Sequence, residues 1–563
     1  MAEISERTLT ESIQTLKNLL KGESRDLWAV SLYSIAIAVL YLVVPIAVQS
    51  VVNTVALGGL QQPLLVLSTA VLVALMIVGC MRGMQRYLIE ILERRLIVRV
   101  SLNLAERLAK IKKGFLIDTF GPDYINRFLE VFVIKRTLAG LLFDGIAAFI
   151  AAPIALILLA FYHPYFLIFA ILIISLVILH LALFSRGGIN AALRESNAKY
   201  DVLAWLEDVA TVPISARMPQ GYAYVISQAD RLVNKYLICK KEYFKIIFRN
   251  QLGSYFLQAI SISALLGLGG ILVMRGQLTL GQLVAAEIAL SASLANLISL
   301  TKHLEDFFKL VASSTKLEGL LSVPTENNAP EILSVSGKPA EVEFINIGFD
   351  SKNRSILKNI NLTLRPGDRV VIFGANGSGK SGLVSIPYRL NTTYSGIVKI
   401  DGVNVSDLEL DSLRSTIHLT QGIEIVHGTI EENLRFGRAD LSLKEIRQAI
   451  DSVGLNDVIQ ELPDGIHEFI RAGGPLSSGQ MYKLIIARAI LAKPRFLIID
   501  GTLDYVDDES IPSLVKLLSA EHQPWTLLVT THSEQIAGFF PRSYELTKNG
   551  FEPISITCQR NRA

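Results

Sequence analysis

The sequence has little cysteine, little charge for its length and no excess of charge of either sign. Its three cysteines, Cys80, Cys239 and Cys558, show no CxxC spacing, so neither a disulfide framework nor a zinc site is indicated. Lys and Arg number 54 against 51 Asp and Glu, a formal net charge of +3, which is too balanced to point to nucleic acid as a partner. Charged residues are only 19% of the chain while apolar ones reach 51%, and the mean hydropathy is +0.42. That is too apolar for an ordinary soluble protein, so a membrane part is expected. The polar first residues carry no cleavable signal-peptide pattern, and 563 residues are too many for one core.

What is present begins with long apolar runs. Segments at 27–52, 63–81, 139–162, 165–185, 254–274 and 280–301 each approach the roughly 20 residues needed to span a hydrocarbon core. Six spans follow. The connecting stretches 82–138 and 186–253 are long and basic, whereas the tips near Asn53–Gln62 and His163–Pro164 carry no Lys or Arg. Positive charge marks the cytoplasmic side, so both long stretches and both termini are expected there, with anionic lipid and topology accounting for the basic residues. Tyr87–Leu108 and Ser196–Glu242 have helical apolar spacing among charges, which predicts membrane helices that continue well into the cytoplasm. Ile13, Leu16, Leu19 and Leu20 predict a short interfacial helix within 1–26.

Few ionisable residues fall inside the spans. Asp144 and His180 lie toward the cytoplasmic ends, where water is close, while Glu287 lies roughly 10 Å below the outer end of the sixth span. A carboxylate is expensive there on the lipid face, so Glu287 is a candidate for the substrate pathway. Pro45 and Pro153 predict kinks. Residues 322–340 shift to Pro, Ser, Asn and Glu and read as a linker, after which short apolar runs alternate with helical ones. The expected division is therefore an interfacial helix over 1–26, an all-α membrane domain over 27–321, the linker, and an α/β domain over 341–563.

The second domain is organised around Val370–Leu383, VVIFGANGSGKSGL. An apolar strand runs into a glycine-rich loop (Gly374, Ala375, Asn376, Gly377, Ser378, Gly379) and then into a helix opened by Lys380, Ser381 and Gly382. Glycines let backbone N–H groups wrap an anion without Cβ interference, Lys380 can reach outer phosphates, and the Ser381 hydroxyl can hold Mg²⁺. Farther on come Gln421, then Leu476-Ser477-Ser478-Gly479-Gln480, then the strand Phe496–Asp500, and His532 after the strand Thr526–Thr530. An apolar strand that ends in Asp500 sets a carboxylate beside the phosphate loop, where it can orient the metal.

In that order these elements resemble an ABC exporter half-transporter, six transmembrane helices followed by one P-loop ATP-binding cassette, with relatives of type I secretion and bacteriocin exporters that lack a peptidase domain as the nearest kind. The resemblance implies that Gly374–Ser381 is the Walker A loop, Gln421 the Q-loop glutamine, Leu476–Gln480 the signature motif, Asp500 the Walker B aspartate, Asp507 the D-loop aspartate and His532 the switch histidine. It implies ATP and Mg²⁺ as ligands, with Ser381, Gln421 and Asp500 toward the metal, His532 and Gln421 as catalytic groups, and the signature facing a partner's ATP. A dimer follows, and the tips near 114–124 and 207–221 are expected to be coupling helices.

Three positions depart from the family pattern. Gly501 stands where a glutamate usually activates water, Ser478 replaces a glycine in the signature, and Ser351 occupies the place of the adenine-stacking aromatic, with Phe349 or Arg354 as substitutes. Glycine removes a base worth about 10²–10⁴-fold. Either the chain pairs with a different half-transporter that keeps the glutamate, or Asp504 or His532 orients the water in a slow homodimer, the account favoured here. The expected function is ATP-driven export across a bacterial inner membrane, with a periplasmic adaptor as a further candidate partner. The alternative is an ATP-gated regulatory or binding membrane protein that turns over little.

Overall fold

The computed structural model describes residue 14, residues 16–17, 21–56, 61–112, 125–333, 337–351, 354–471, 474–547 and 550–554. The chain divides into two units, the first ending at Thr325 and the second running from Glu326. Most of the expected interfacial helix, the loop tip at 114–124 and Cys558 lie outside the described residues.

Apolar runs that pass into amphipathic ones without a helix breaker make helices longer than a membrane is thick. After Pro63, near its start, the helix Gln61–Ala109 meets no proline, and its 49 residues extend about 74 Å. Pro219–Met274 (56 residues) and Leu280–Leu321 (42 residues) do the same. Six helices among the described residues are long and apolar enough to cross a membrane, which agrees with the six runs read from the sequence. Pro45 has no N–H for the carbonyl of Tyr41, and the first span is correspondingly broken at Leu42 into Ser24–Tyr41 and Val43–Ala56. The third span starts as Glu130–Gly140, widens into a π-helical turn at Leu141–Gly145 that carries Asp144, and continues as Ile146–Tyr162 around Pro153. Between Gly188–Thr211 and Pro219–Met274, the expected coupling tip contains one short helix, Pro213–Ala216.

Two sets of charges in this unit have partners that periodicity could not supply. Arg95 donates to Glu23 and Asp26, each at 2.9 Å, and Arg99 donates to Glu23 at 2.7 Å. These two arginines are thus paired within the chain, and lipid is not needed to explain them. The buried carboxylate of Glu130 accepts from Lys199 Nζ and the Tyr200 hydroxyl, both at 2.8 Å, and from the Ser313 hydroxyl, so it ties three helices together.

In the second unit the strands are β1 (Val342–Ser351), β2 (Arg354–Leu364), β3 (Arg369–Phe373), β4 (Ser395–Ile400), β5 (Val403–Asn404), β6 (Ile417–Gln421), β7 (Gly428–Thr429), β8 (Phe469–Ile470), β9 (Phe496–Asp500), β10 (Thr526–Thr531), β11 (Arg542–Leu546) and β12 (Phe551–Ile554). One sheet has the order β2-β1-β4-β5 and the main sheet β12-β11-β3-β10-β9-β6. From β11 to β6 every pair is parallel. Such strands, buried on both faces, are apolar throughout, as Val370–Ile372 and Phe496–Ile499 are. Their carboxyl ends share one edge, and this is what assembles the site.

Candidate nucleotide site

The register sets the first row of groups. Gln421 is level with Asp500, and Asp500 with Thr530. The Asp500 carboxylate, buried at the end of β9, accepts from the Ser381 hydroxyl at 3.1 Å, from Gln421 Nε2 at 3.0 Å and from the Thr530 hydroxyl at 2.6 Å. Thr530 has no signal of its own in the sequence beyond its place at the end of an apolar strand. Serine hydroxyl, carboxylate and amide oxygen form an all-oxygen donor set. Among the described residues no group of three His, Cys, Asp or Glu could cage a metal. A few oxygens without a cage suit Mg²⁺, which keeps its waters and binds substrate phosphates.

Above this row the loop Gly374–Gly379 turns back on itself. Gly377 and Gly379 have φ of 78° and 100°, where a Cβ is unfavourable, and a Cβ on Gly374 would meet the Leu546 carbonyl oxygen at 2.4 Å. Lys380 Nζ donates to the carbonyls of Gly374 at 2.6 Å and Ala375 at 2.9 Å, folded over the loop it would leave when phosphate arrives. Desolvation pushes the Lys380 ammonium below its usual range, and the charges of Asp504 and Asp500 oppose that shift. The helix opened by Lys380 is only six residues long, Lys380–Ser385, so the loop N–H groups and the lysine dominate the field for an anion. Gly382 lies against Phe349, whose ring carbon would be 3.4 Å from a Cβ there. The side chains of Ser351 and Arg354 lie outside the described residues.

His532, just past β10, is not part of the Asp500 row. Its ring Nδ1 lies 2.8 Å from Asp504 Oδ2, and its backbone N–H donates to the same oxygen at 3.2 Å. Three residues beyond Gly501, Asp504 is expected from spacing alone to point elsewhere. The 3₁₀ turn Thr502–Tyr505 instead brings its carboxylate back to the sheet edge.

The signature residues gather elsewhere. Ser477, Gly479 and Gln480 line a depression of about 410 Å³ with Lys483 and the turn Asp504–Asp507. Ser477 and Gln480 form a capping box at the start of the helix Ser478–Leu491, which accounts for a serine followed three residues later by a glutamine. Ser478 is the first helical residue, a position with no need for glycine. Ser477→Ala is expected to cost about 1 kcal/mol of unfolding free energy and Ser477→Gly only a few tenths. Urea denaturation of the purified chain checks this, and equal costs would remove the cap. Asp507 pairs with Lys483 at 2.8 Å, and its hydrogen bonds to Lys483 and Ser510 hold it down at about 2.

In the membrane unit, a cavity of about 360 Å³ is lined by Tyr41, Arg82, Asp144, Asn296 and several alanines. Arg82 lies over the Tyr41 ring, 5.7 Å from its centroid. Ile288 and Ala289 line the cavity, whereas their neighbour Glu287 is half-buried and accepts from the Ser291 hydroxyl at 2.7 Å.

Residues 357–503 match the family described as ABC transporter. Among curated proteins, the chain is 28% identical over 344 residues to an uncharacterized ABC transporter ATP-binding protein of Bacillus subtilis, YwjA, covering 60% of each. It covers 39–46% of three further relatives' own length, so it spans about half of these curated proteins. Over longer stretches it is 24% identical to the alpha-hemolysin translocation ATP-binding protein HlyB of Escherichia coli O157:H7, across 90% of this chain and 72% of that one. A bacterial Atm1-family ABC exporter solved with ATP bound has the same fold, with a TM-score of 0.84 and 18% identity over 94% of this chain and 95% of that one.

Proposed function

Since this chain is an ABC exporter half-transporter, with six membrane helices and a nucleotide-binding unit fused in one polypeptide, we propose that it works as a dimer that couples ATP binding and hydrolysis to export across a bacterial inner membrane. The observation that carries this reading is the convergence of Ser381, Gln421 and Thr530 on Asp500 beside the phosphate loop. Magnesium, when bound, neutralises charge building up on the transferred phosphoryl group. Ser381 and Asp500 would hold it with Gln421 beside them, Lys380 would hold the outer phosphates, and His532 would stand beside the γ-phosphate. The signature Leu476–Gln480 closes on the partner chain's nucleotide, and a homodimer is the simplest partner.

The solute passes through the cavity around Arg82 and Asp144, with Glu287 a second candidate on the path by its depth alone. Reconstituted vesicles test the reading. One of a panel of compounds (a cationic dye, a labelled peptide, a labelled phospholipid) should accumulate only with ATP, and Arg82→Ala or Asp144→Asn should lower that accumulation at least about fivefold while leaving ATP retention unchanged. Gly501 favours a second reading, an ATP-gated regulatory protein. ATP retained without accumulation of any panel member would select it.

A further inference from the structure

We propose that Asp504 supplies the carboxylate that position 501 lacks, acting indirectly by holding His532 as the base that takes a proton from the attacking water. This rests on the reading of the site as one that hydrolyses ATP. Gly501 sits at the end of β9 with φ of 64°, and a Cβ built on it would lie 3.8 Å from Asp504 Oδ2. The Asp504 carboxylate therefore borders the space that a side chain at 501 would enter. It is itself fixed. Its side chain is 4% exposed and accepts from the Thr531 hydroxyl as well as from the backbone N–H and ring of His532.

An ionised carboxylate can only accept, so the hydrogen on the imidazole belongs on Nδ1 and the lone pair on Nε2. The side chain is 48% exposed, so water can reach the ring. The charges of Asp504 and Asp500 both act on Lys380, so the pair stands at the phosphate end of the site. In the step, the water proton passes to Nε2 as its oxygen bonds to the γ-phosphorus. The bond from that phosphorus to the bridging oxygen breaks, ADP leaves with the electron pair, and the imidazolium returns its proton to phosphate or solvent. His532 is the catalytic residue and Asp504 a positioning residue.

A double-mutant cycle on the full-length chain in nanodiscs, read as ATPase without any transported solute, tests this. His532→Ala should lower kcat about 100-fold and Asp504→Asn about 10- to 30-fold. ATP affinity should stay within about threefold in both. The Asp504→Asn effect should vanish in the His532→Ala background, since a holder has nothing left to hold, and added imidazole should recover part of the His532→Ala loss. Gly501→Glu should raise the rate of Asp504→Asn at least about tenfold. An unchanged kcat in Asp504→Asn, independent multiplying losses, or a loss matched by lost ATP binding would overturn the proposal. A wild type that retains ATP but hydrolyses it no faster than Lys380→Ala would also overturn the pair, yet leave nucleotide binding intact. Failure to retain ATP would overturn both readings.

Discussion

Lys380→Ala is expected to lower ATP turnover by about 10²–10³-fold and to weaken retention of ATP as well. Its ammonium now rests on the carbonyls of Gly374 and Ala375, a self-paired state that costs the loop little to open when phosphate oxygens compete for the same hydrogens. Charge-assisted bonds are stronger than neutral ones, and a donor aimed at developing charge in a partly dry site is worth about 3–4 kcal/mol. The lysine is already partly desolvated, so transferring it from carbonyl to phosphate adds attraction without much further dehydration. Arginine should not restore the activity, because its planar fork fits the glycine loop poorly. Filter retention of labelled ATP together with steady-state ATPase decides the matter. Retention equal to wild type would remove the loop as the phosphate site.

The second large effect is expected far from any nucleotide. Glu130→Ala leaves Lys199, Tyr200 and Ser313 without their shared acceptor between three membrane-unit helices. Removing one partner of a buried ion pair costs about 3–5 kcal/mol. Lys199 is half-exposed, so water recovers part of that loss, and about 2–3 kcal/mol remains. The melting temperature in detergent should fall by about 5–10 °C. Glu130→Gln, which keeps one acceptor oxygen, should lose less. Equal melting of Glu130→Ala and wild type would mean that the three helices hold together by apolar packing alone.

The two halves of the chain differ in how much the sequence says about them. Six apolar runs determine six long helices because a stretch without helix breakers satisfies its own backbone hydrogen bonds in lipid. Pro45 likewise determines the break at Leu42 through one missing N–H. The phosphate loop and the strand ending in Asp500 are local patterns, since a glycine turn or an apolar strand is made by neighbours in sequence.

Contacts between distant segments are another matter, as no spacing rule links them. That Thr530 joins Ser381 and Gln421 on Asp500 depends on the order and register of parallel strands. Arg82 and Asp144 meet one cavity because separate helices pack around it, and Arg95 finds Glu23 across 72 residues. Asp504 is the clearest case. Counted along the chain it lies in the right loop but is expected to point elsewhere, whereas one 3₁₀ turn reverses its direction and places it on His532, 28 residues later. The sequence alone determined the elements and the chemistry available to them. Which groups touch, and so which base could stand in for the absent glutamate, was decided only when the sheet brought its carboxyl ends to a common edge.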